Sequence, residues 1–599
     1  MAKKNNQKLT VENNAKLSVV FWVVLILVVV PVLSRLVTGF FLNIDDDLFF
    51  TNNPFIKSIS FTNIGQIFTS YYGGNYHPIT TLIEAVEFSL FGLNPSAFHA
   101  VSLLVHVLNT YLVFLVAGKF SKRFEFKAIV TFLFVLHPMH IEPVAWIADK
   151  TDLYYTAFFL GALLNYIRYL QDDQRVRLVY TFLLFLLSLG CKPAAICLPM
   201  MLLLLDYHFD RPLQKEMLFK SATILIAAGF ALVTFYSLDA ENKITNLLMP
   251  DYSLVQRLFV VNYTFAYYIF RFVVPTNLSV LHLAPAELPF YYYLTPLFNL
   301  IVIWAAFRVK QKVKLVWTGL LFYAIAIGLV LQLLPSGYNI VAERYTYLPY
   351  IGLSLAFAAI YFAIENNSLN LPDFFRKNRM ALMLVYFGCL TVLSYARVSE
   401  WKDLLTINRS IAERNPESSY AQLSAAFQEM SAGNIENARN YVAVAEEVDP
   451  DDAEVQFFKG KLYYQLKENE VSLKAFQRAK VLSSQQKELT EYLAILYFEN
   501  SKMDSAEFYF TQLITRDTTR NSSYYSNRAI CRFYLTKYVD AIKDYDAALQ
   551  IDPNMMNAVG ERGLCYVKLN DKEKACKDLS QAVAAGMEDY RKDLEENCR

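Results

Sequence analysis

Apolar runs close to twenty residues long recur from the N-terminus to about residue 397. A helix needs about that length to cross the hydrocarbon core of a bilayer, where every backbone polar group must be satisfied within the segment. The runs fall at 17–41, 97–117, 127–145, 150–170, 178–192, 194–208, 219–237, 293–308, 315–335, 345–364 and 380–397, which predicts an all-α, polytopic membrane bundle of about 11 spans. The first run has a basic flank (Lys3, Lys4, Lys8, Lys16) but is too long for a signal peptide, so it is expected as a retained helix. Composition agrees: of 599 residues, 55% are hydrophobic and 19% charged, where a soluble chain carries about 25% charged. Residues 401–599 hold 26 Lys and Arg against 32 Asp and Glu, while residues 1–400 hold 30 against 23. A greasy, mildly basic part is therefore joined to a polar, mildly acidic one. This excludes a single soluble domain, a disordered chain, and a nucleic-acid partner recognised through a large basic patch. The 7 Cys lack metal-ligand spacing, which excludes a disulfide scaffold or a zinc-finger array.

Short loops rich in Lys and Arg mark the cytoplasmic side of a membrane protein. Here they are Lys119/Lys122/Arg123/Lys127, Arg168/Arg175/Arg177, Arg308/Lys310/Lys312/Lys314 and Arg376/Lys377/Arg379. With the N-terminus inside, loop 42–96 and the turns around 137–152 and 336–344 lie outside, and so does everything after residue 398. Segment 258–275 is apolar enough to span, but a crossing there would put the basic loop 308–314 outside; a peripheral or re-entrant helix is the expectation. A single long helix over 178–208 is the other arrangement, and both keep the last third outside.

That last third is periodic. Small residues recur at Ala426, Gly460, Ala494, Ala529 and Gly563, with spacings of 34, 34, 35 and 34. Parallel series run through Ala438, Ser472, Ala506, Ala541, Ala575 and through Ala445, Ala479, Leu513, Ala548, Ala582. A period of about 34 is that of the tetratricopeptide repeat, a helical hairpin whose small positions let two helices approach closely. Such a stack forms an α-solenoid with a concave surface for peptide or protein. The expected organisation is a membrane domain over 1–398, a connecting helix over 399–418 and five repeats over 419–599. Cys531, Cys565, Cys576 and Cys598 then lie on the oxidising side as buried thiols or, for Cys576 and Cys598, as a disulfide.

Ionisable residues beside membrane segments are costly, which raises their prior for function. Asp45-Asp46-Asp47 follows the first span. Adjacent carboxylates repel; one can accept a proton from a hydroxyl nucleophile while a neighbour orients the acceptor or holds a divalent cation, or the three form a solvated helix cap. His77-Pro78 lies in a loop rich in Tyr and Asn, which suits a sugar face and equally the membrane interface. His137-Pro138-Met139-His140-Ile141-Glu142, followed by Asp149, Lys150 and Asp152, reads as a metal site, a polar active-site turn or a structural turn. It lacks the His-Glu-x-x-His order, and its prolines argue against a continuous helix. Lys192 and Arg344 are outer-side cations suited to a lipid phosphate, although Arg344 could instead pair with its neighbour Glu343. His99, His106 and Asn109 share one face of a span, as polar contacts inside the bundle do.

Taken in order, these motifs resemble a known family, the membrane O-mannosyltransferases with C-terminal tetratricopeptide repeats, within the C-type glycosyltransferase superfamily. The resemblance rests on Asp45-Asp46 with Asn53-Pro54, Tyr76-His77-Pro78-Ile79-Thr80-Thr81, Gly92-Leu93-Asn94-Pro95 with Phe98-His99, His137 through Glu142, Cys191-Lys192, Glu343-Arg344-Tyr345-Thr346-Tyr347-Leu348-Pro349, and Trp401 before the repeats. The compact chain and short loops point to a bacterial member. The resemblance implies a polyprenyl-phosphate sugar as donor, exported proteins as Ser/Thr acceptors bound by the repeats, and the cytoplasmic membrane as location. Carried over, Asp45 or Asp46 is the base, and Lys192 and Arg344 meet the donor phosphate. His77, His137, His140 and Glu142 complete the expected donor-binding set. No cofactor is assigned beyond a divalent cation that Asp45, Asp46 and Asp47 could hold. The chain departs from the family at His77, where Arg is usual, and after Lys192, where Pro193 replaces an acidic residue. Both departures bear on sugar or acceptor choice. The competing reading is a non-catalytic platform whose repeats recruit envelope proteins. A transporter fits less well, because the polar residues cluster at outer helix ends and no inverted repeat of broken helices is evident.

Overall fold

The computed structural model describes residues 2–41, 45–240, 252–285, 287–310, 313–333, 339–369, 371–482, 487–516 and 521–598. Among the described residues the regular elements are all helices, with isolated bridges at Tyr72–Asn75 and Leu283–Asn339 and no strand. The chain divides into two compact units, Met1–Arg414 and Asn415–Arg599, so the division falls inside the segment expected to connect them.

The first unit begins with α1 (Ala2–Leu33) and two helices of the following loop, α2 (Phe61–Thr69) and α3 (Pro78–Phe91). The bundle continues with α4 (Pro95–Phe120), α5 (Phe124–Val135), the short α6 (Ile141–Ala145), α7 (Thr151–Asp172), α8 (Val176–Cys191) and α9 (Leu198–His208). Then come α10 (Met217–Ala240), α11 (Leu254–Val273), α12 (Phe290–Lys310), α13 (Lys314–Ile327), α14 (Pro349–Glu365), α15 (Asp373–Glu400) and α16 (Leu404–Arg414). Proline opens α3, α4 and α14, where its missing N–H costs nothing, and the Asn94 side chain caps α4 by accepting from the Ala97 N–H.

All eleven expected runs fall largely on helices, and the last two residues of the run at 315–335 lie outside the described residues. Five are both long and apolar enough to cross a membrane: Ser18–Val37, Pro95–Phe120, Met217–Ser237, Phe290–Lys310 and Asp373–Glu400. A sixth crossing can be made by Phe124–Val135 with Pro138–Ala145, bent by 57° where Pro138 interrupts the helix. Val176–Cys191, Pro193–His208, Lys314–Val330 and Pro349–Glu365 are apolar but shorter. Large apolar side chains such as Leu104, Leu225, Leu300, Trp304 and Val392 stand exposed on the outside of the bundle, as lipid-facing residues do. The unit is a multi-pass membrane bundle.

Small residues set one of its closest helix contacts. A Cβ on Gly319 of α13 would lie 2.5 Å from the Gly352 carbonyl oxygen of α14, so the two backbones touch there. Segment 258–275 lies in one continuous helix, α11, as far as Val273, which buries Tyr267 and Tyr268 and leaves Leu258 and Phe270 exposed. The bundle also has two distinct ends. At one, the basic loops hold each other's carboxylates: Arg123 and Arg379 both reach Glu365, Arg211 and Lys215 reach Asp173, and Lys314 reaches Asp210. At the other lie Thr151 of α7, Cys191 of α8 and Pro349 of α14, the opposite ends of helices that touch the basic loops.

The second unit is a stack of hairpins: α17/α18 (Ser419–Ser431, Ile435–Val448), α19/α20 (Ala453–Gln465, Asn469–Leu482) and α21/α22 (Lys487–Glu499, Met503–Arg516). α23/α24 (Ser522–Tyr534, Tyr538–Ile551) and α25/α26 (Met556–Lys568, Lys572–Ala584) follow, with α27 (Arg591–Asn597) at the end. Every residue of the three small-position series is buried. Each hairpin turn also holds one residue in the left-handed region: Gly433, Lys467, Ser501, Thr536 and Asn570, at the same 34-residue register. An ion pair repeats in step, Arg528 to Asp544 and Arg562 to Asp578. α27 closes the stack, tied to α26 by the Cys576–Cys598 disulfide, with Tyr590 packed over Gly560.

Candidate functional site

At the bundle end away from the basic loops, a cavity of about 240 Å³ is enclosed by loop 45–81, the 146–151 turn, Lys192 and the Arg344–Tyr345 pair. Four of the expected site residues line it, Asp45, His77, Lys192 and Arg344, with Asp149 beside them. They are separated by up to 299 positions in the chain and converge because α1, α3, α8 and α14 begin or end on one face. Aromatic and amide groups complete the wall, among them Tyr72, Asn53, Asn75, Trp146 and Tyr345. Stacking rings with neutral donors and acceptors can hold a sugar; the cations can hold a phosphate.

Asp45 is exposed to this space and adopts φ 68, a left-handed conformation that a non-glycine residue holds at a cost. Its carbonyl accepts from the Phe49 N–H and so opens the short helical turn that follows. The strained backbone turns the chain sharply at the end of the first span. His77 caps α3, its carbonyl accepting from the Thr81 N–H. Burial, helped by the charge on Lys192, pushes its imidazole down to about 3, so His77 is neutral near pH 7 and meets a ligand as a hydrogen-bonding group.

The cations are held by a chain of carboxylates. Lys192 Nζ lies 2.5 Å from Asp152 and 3.7 Å from Asp149. Arg344 Nη1 lies 2.5 Å from Glu142 and its Nε 3.5 Å from Asp149, so Asp149 stands between the two cations. The guanidinium also sits 5.1 Å from the Trp146 ring centre. Glu142 is fully buried and accepts from the Glu343 N–H at 3.1 Å as well, which fixes both backbone and side chain of the 343–344 turn. Glu343 turns the other way, to Arg397 of α15 at 2.8 Å. Arg344 and Glu343 are thus each paired, though not with one another.

The remaining expected residues do not line the cavity. Asp46 is fully buried and accepts from the Ala148 N–H at 2.8 Å, pinning the first loop to the 146–151 turn. Asp47 accepts from the Leu48 N–H at 2.9 Å and is exposed. The three aspartates thus diverge, and among the described residues no group of three or more His, Cys, Asp or Glu side chains gathers as a metal site. His137 and His140 are buried in the bundle and do not line the cavity. His137 lies 3.2 Å from the Phe272 carbonyl and His140 2.7 Å from the Phe134 carbonyl, so each ring has a backbone partner. His106 and Asn109 both bond the Tyr347 hydroxyl, inside the bundle as expected.

Sequence reasoning missed two features. One is the bridging role of Asp149. The other is Glu84, a buried carboxyl on α3 that lines the cavity beside the Glu87–Lys150 ion pair. The signal existed: Glu84 and Glu87 are charges three residues apart on an otherwise uncharged helix, a costly arrangement without partners.

A model of the tetratricopeptide repeat family matches residues 428–487. A Caenorhabditis elegans protein named protein O-mannosyl-transferase F38B6.6 is 23% identical over 421 residues, covering 64% of this chain and 56% of that protein. Human protein O-mannosyl-transferase TMTC3 is 20% identical over 560 residues, covering 84% of this chain and 60% of that protein. The chain therefore spans little more than half the length of these two relatives. Among solved structures, YrrB, described as a TPR protein with an unusual peptide-binding site, matches 30% of this chain and 91% of its own at 18% identity, with a TM-score of 0.28. The resemblance to the repeat-bearing O-mannosyltransferases read from the motifs is borne out over much of the chain.

Proposed function

We propose that the chain is an integral membrane glycosyltransferase. It moves a sugar, mannose by the names of its relatives, from a polyprenyl-phosphate carrier to Ser or Thr hydroxyls of exported proteins. The observation that carries this reading is the single cavity in which Asp45 faces the same space as Lys192 and Arg344. Its volume of about 240 Å³ equals that of about eight waters, on the scale of one sugar unit with its phosphate. In this reading Asp45 takes the proton from the acceptor hydroxyl as its oxygen attacks the anomeric carbon. The bond from that carbon to the phosphate oxygen breaks, and Lys192 and Arg344 hold the charge left on the lipid phosphate. Glu142 and Asp149 act through Arg344 by fixing it. A weak hydroxyl nucleophile gains most from such placement, and the repeats serve by holding the acceptor chain nearby.

The orientation belongs to the same reading. The basic loops mark the cytoplasmic face, so the cavity opens on the other side of the membrane, where exported acceptors are found. The disulfide between Cys576 and Cys598 supports an extracytoplasmic repeat domain, since disulfides persist in oxidising compartments. Comparative glycoproteomics of envelope proteins tests the proposal. Cells with Asp45→Asn in place of the wild type are expected to lose hexose from Ser and Thr while keeping the protein in the membrane. Unchanged occupancy would favour the non-catalytic platform.

A further inference from the structure

We infer that Glu84 is the neutral hydrogen-bond donor of this cavity, a carboxylic acid that gives its proton in a hydrogen bond to a hydroxyl of the donor sugar and so helps select that sugar. The inference rests on the glycosyltransferase reading and deepens it.

Three carboxyl groups, Glu84, Glu87 and Asp46, surround one ammonium, Lys150, and all four groups are buried. Glu87 is engaged twice, by the Lys150 ammonium and by the Tyr154 hydroxyl. Asp46 has the Ala148 N–H. Among the described residues, none donates a hydrogen bond to the Glu84 carboxyl. A single buried cation cannot keep three carboxylates ionised, and the proton resides on the group with the least stabilisation of its charge. That group is also the one on the cavity wall. Burial first, then the charges of Glu87 and Asp46, raise Glu84 to about 8 against the pull of Lys150.

Other titratable groups around Glu84 leave this assignment in place. Tyr154 of α7 and Cys191 of α8 bring a phenol and a thiol, groups that ordinarily carry no charge near pH 7. α2, packed on α3, has no titratable residue, and Lys57 of the neighbouring turn is exposed. Across the cavity, Lys192 and Arg344 are matched by Asp152, Asp149 and Glu142. An ionised Glu84 would add repulsion against an incoming phosphate. A protonated one offers a directional donor at no cost in charge, a use of carboxylic acids known wherever apolar surroundings keep them neutral.

The test uses purified full-length protein in lipid nanodiscs with polyprenyl-phosphate mannose as probe. Wild-type kcat/KM is expected to fall with slope one as pH rises through about 8, while Glu84→Gln, a permanent donor of similar shape, keeps near-wild-type activity at pH 7 and loses that alkaline fall. Glu84→Met is expected to lose about tenfold at pH 7. Infrared difference spectra supply a readout without turnover: a carboxylic acid C=O band, missing in Glu84→Gln, should shift when the lipid is added. Loss of activity in Glu84→Gln equal to that in Glu84→Met, or an unchanged alkaline fall in Glu84→Gln, overturns the inference. Transfer with no such band, or with a band that ignores the lipid, overturns it and leaves the function standing. A wild-type protein that neither transfers sugar nor shifts the band overturns both.

Discussion

Arg344→Lys keeps the charge at the cavity and removes the fork, which makes it the sharpest probe of the proposed phosphate site. In the native site Nη1 reaches Glu142 at 2.5 Å and Nε faces Asp149 at 3.5 Å, which leaves the rest of the guanidinium for a ligand. A lysine ammonium that satisfies buried Glu142 gives up the reach toward Asp149 and has no second planar edge to offer. The expected loss is one charge-assisted hydrogen bond to phosphate, about 1.5–3 kcal/mol. At about 1.36 kcal/mol per decade that is roughly a 10- to 150-fold rise in KM for the donor. kcat should fall less than KM rises, because the phosphate already carries one charge in the bound lipid and gains the second only as the bond breaks. Arg344→Ala is the poorer choice: it strands Glu142 without its partner, at about 3–5 kcal/mol of stability. Initial rates against donor concentration, with thermal unfolding of the same preparation as control, give the result. A donor KM equal to wild type in a folded Arg344→Lys protein would refute the phosphate role.

Two further predictions concern the repeats. Thr536→Gly should stabilise the α23/α24 hairpin, because a β-branched residue at φ 60 carries about 1–2 kcal/mol of strain, only partly offset by glycine's entropy; amide exchange in both helices should slow about threefold, and faster exchange would contradict the assignment of strain. Cys598→Ser opens a bridge between residues 22 apart, worth about 3 kcal/mol; exchange and proteolysis over 585–598 should rise sharply, and unchanged protection would mean that Tyr590 packing alone holds α27.

The repeat array was almost wholly legible in the sequence, since hairpin packing depends on contacts between neighbouring helices and leaves a period. Ala426, Gly460, Ala494, Ala529 and Gly563 could be read as close-contact positions without any long-range information. The bundle was legible as apolar helices, but bilayer crossing was harder to read. α7 carries Asp152 and Arg168 and is sheltered by its neighbours, while several apolar helices are too short to cross alone. The site was legible only as far as unusual residues at helix ends. Asp45, His77, Lys192 and Arg344 stood out because each is costly near a membrane. Their sorting from Asp46, His137 and His140 depends on partners such as Ala148, Phe272 and Phe134, and local pattern does not encode those. Glu84 and the bridging role of Asp149 escaped notice for the same reason: what makes them unusual is Lys150 and Arg344, 66 and 195 positions away.

The most direct test of the central claim is transfer of labelled mannose from polyprenyl-phosphate mannose to a Ser/Thr acceptor by the purified protein, wild type against Asp45→Asn. Asn is nearly the same size as Asp and keeps an acceptor, so the φ 68 turn should hold. The account predicts that Asp45→Asn binds the lipid donor with wild-type affinity and loses about 10²–10⁴-fold in rate, the usual contribution of a general base. Turnover of Asp45→Asn at the wild-type rate would contradict it.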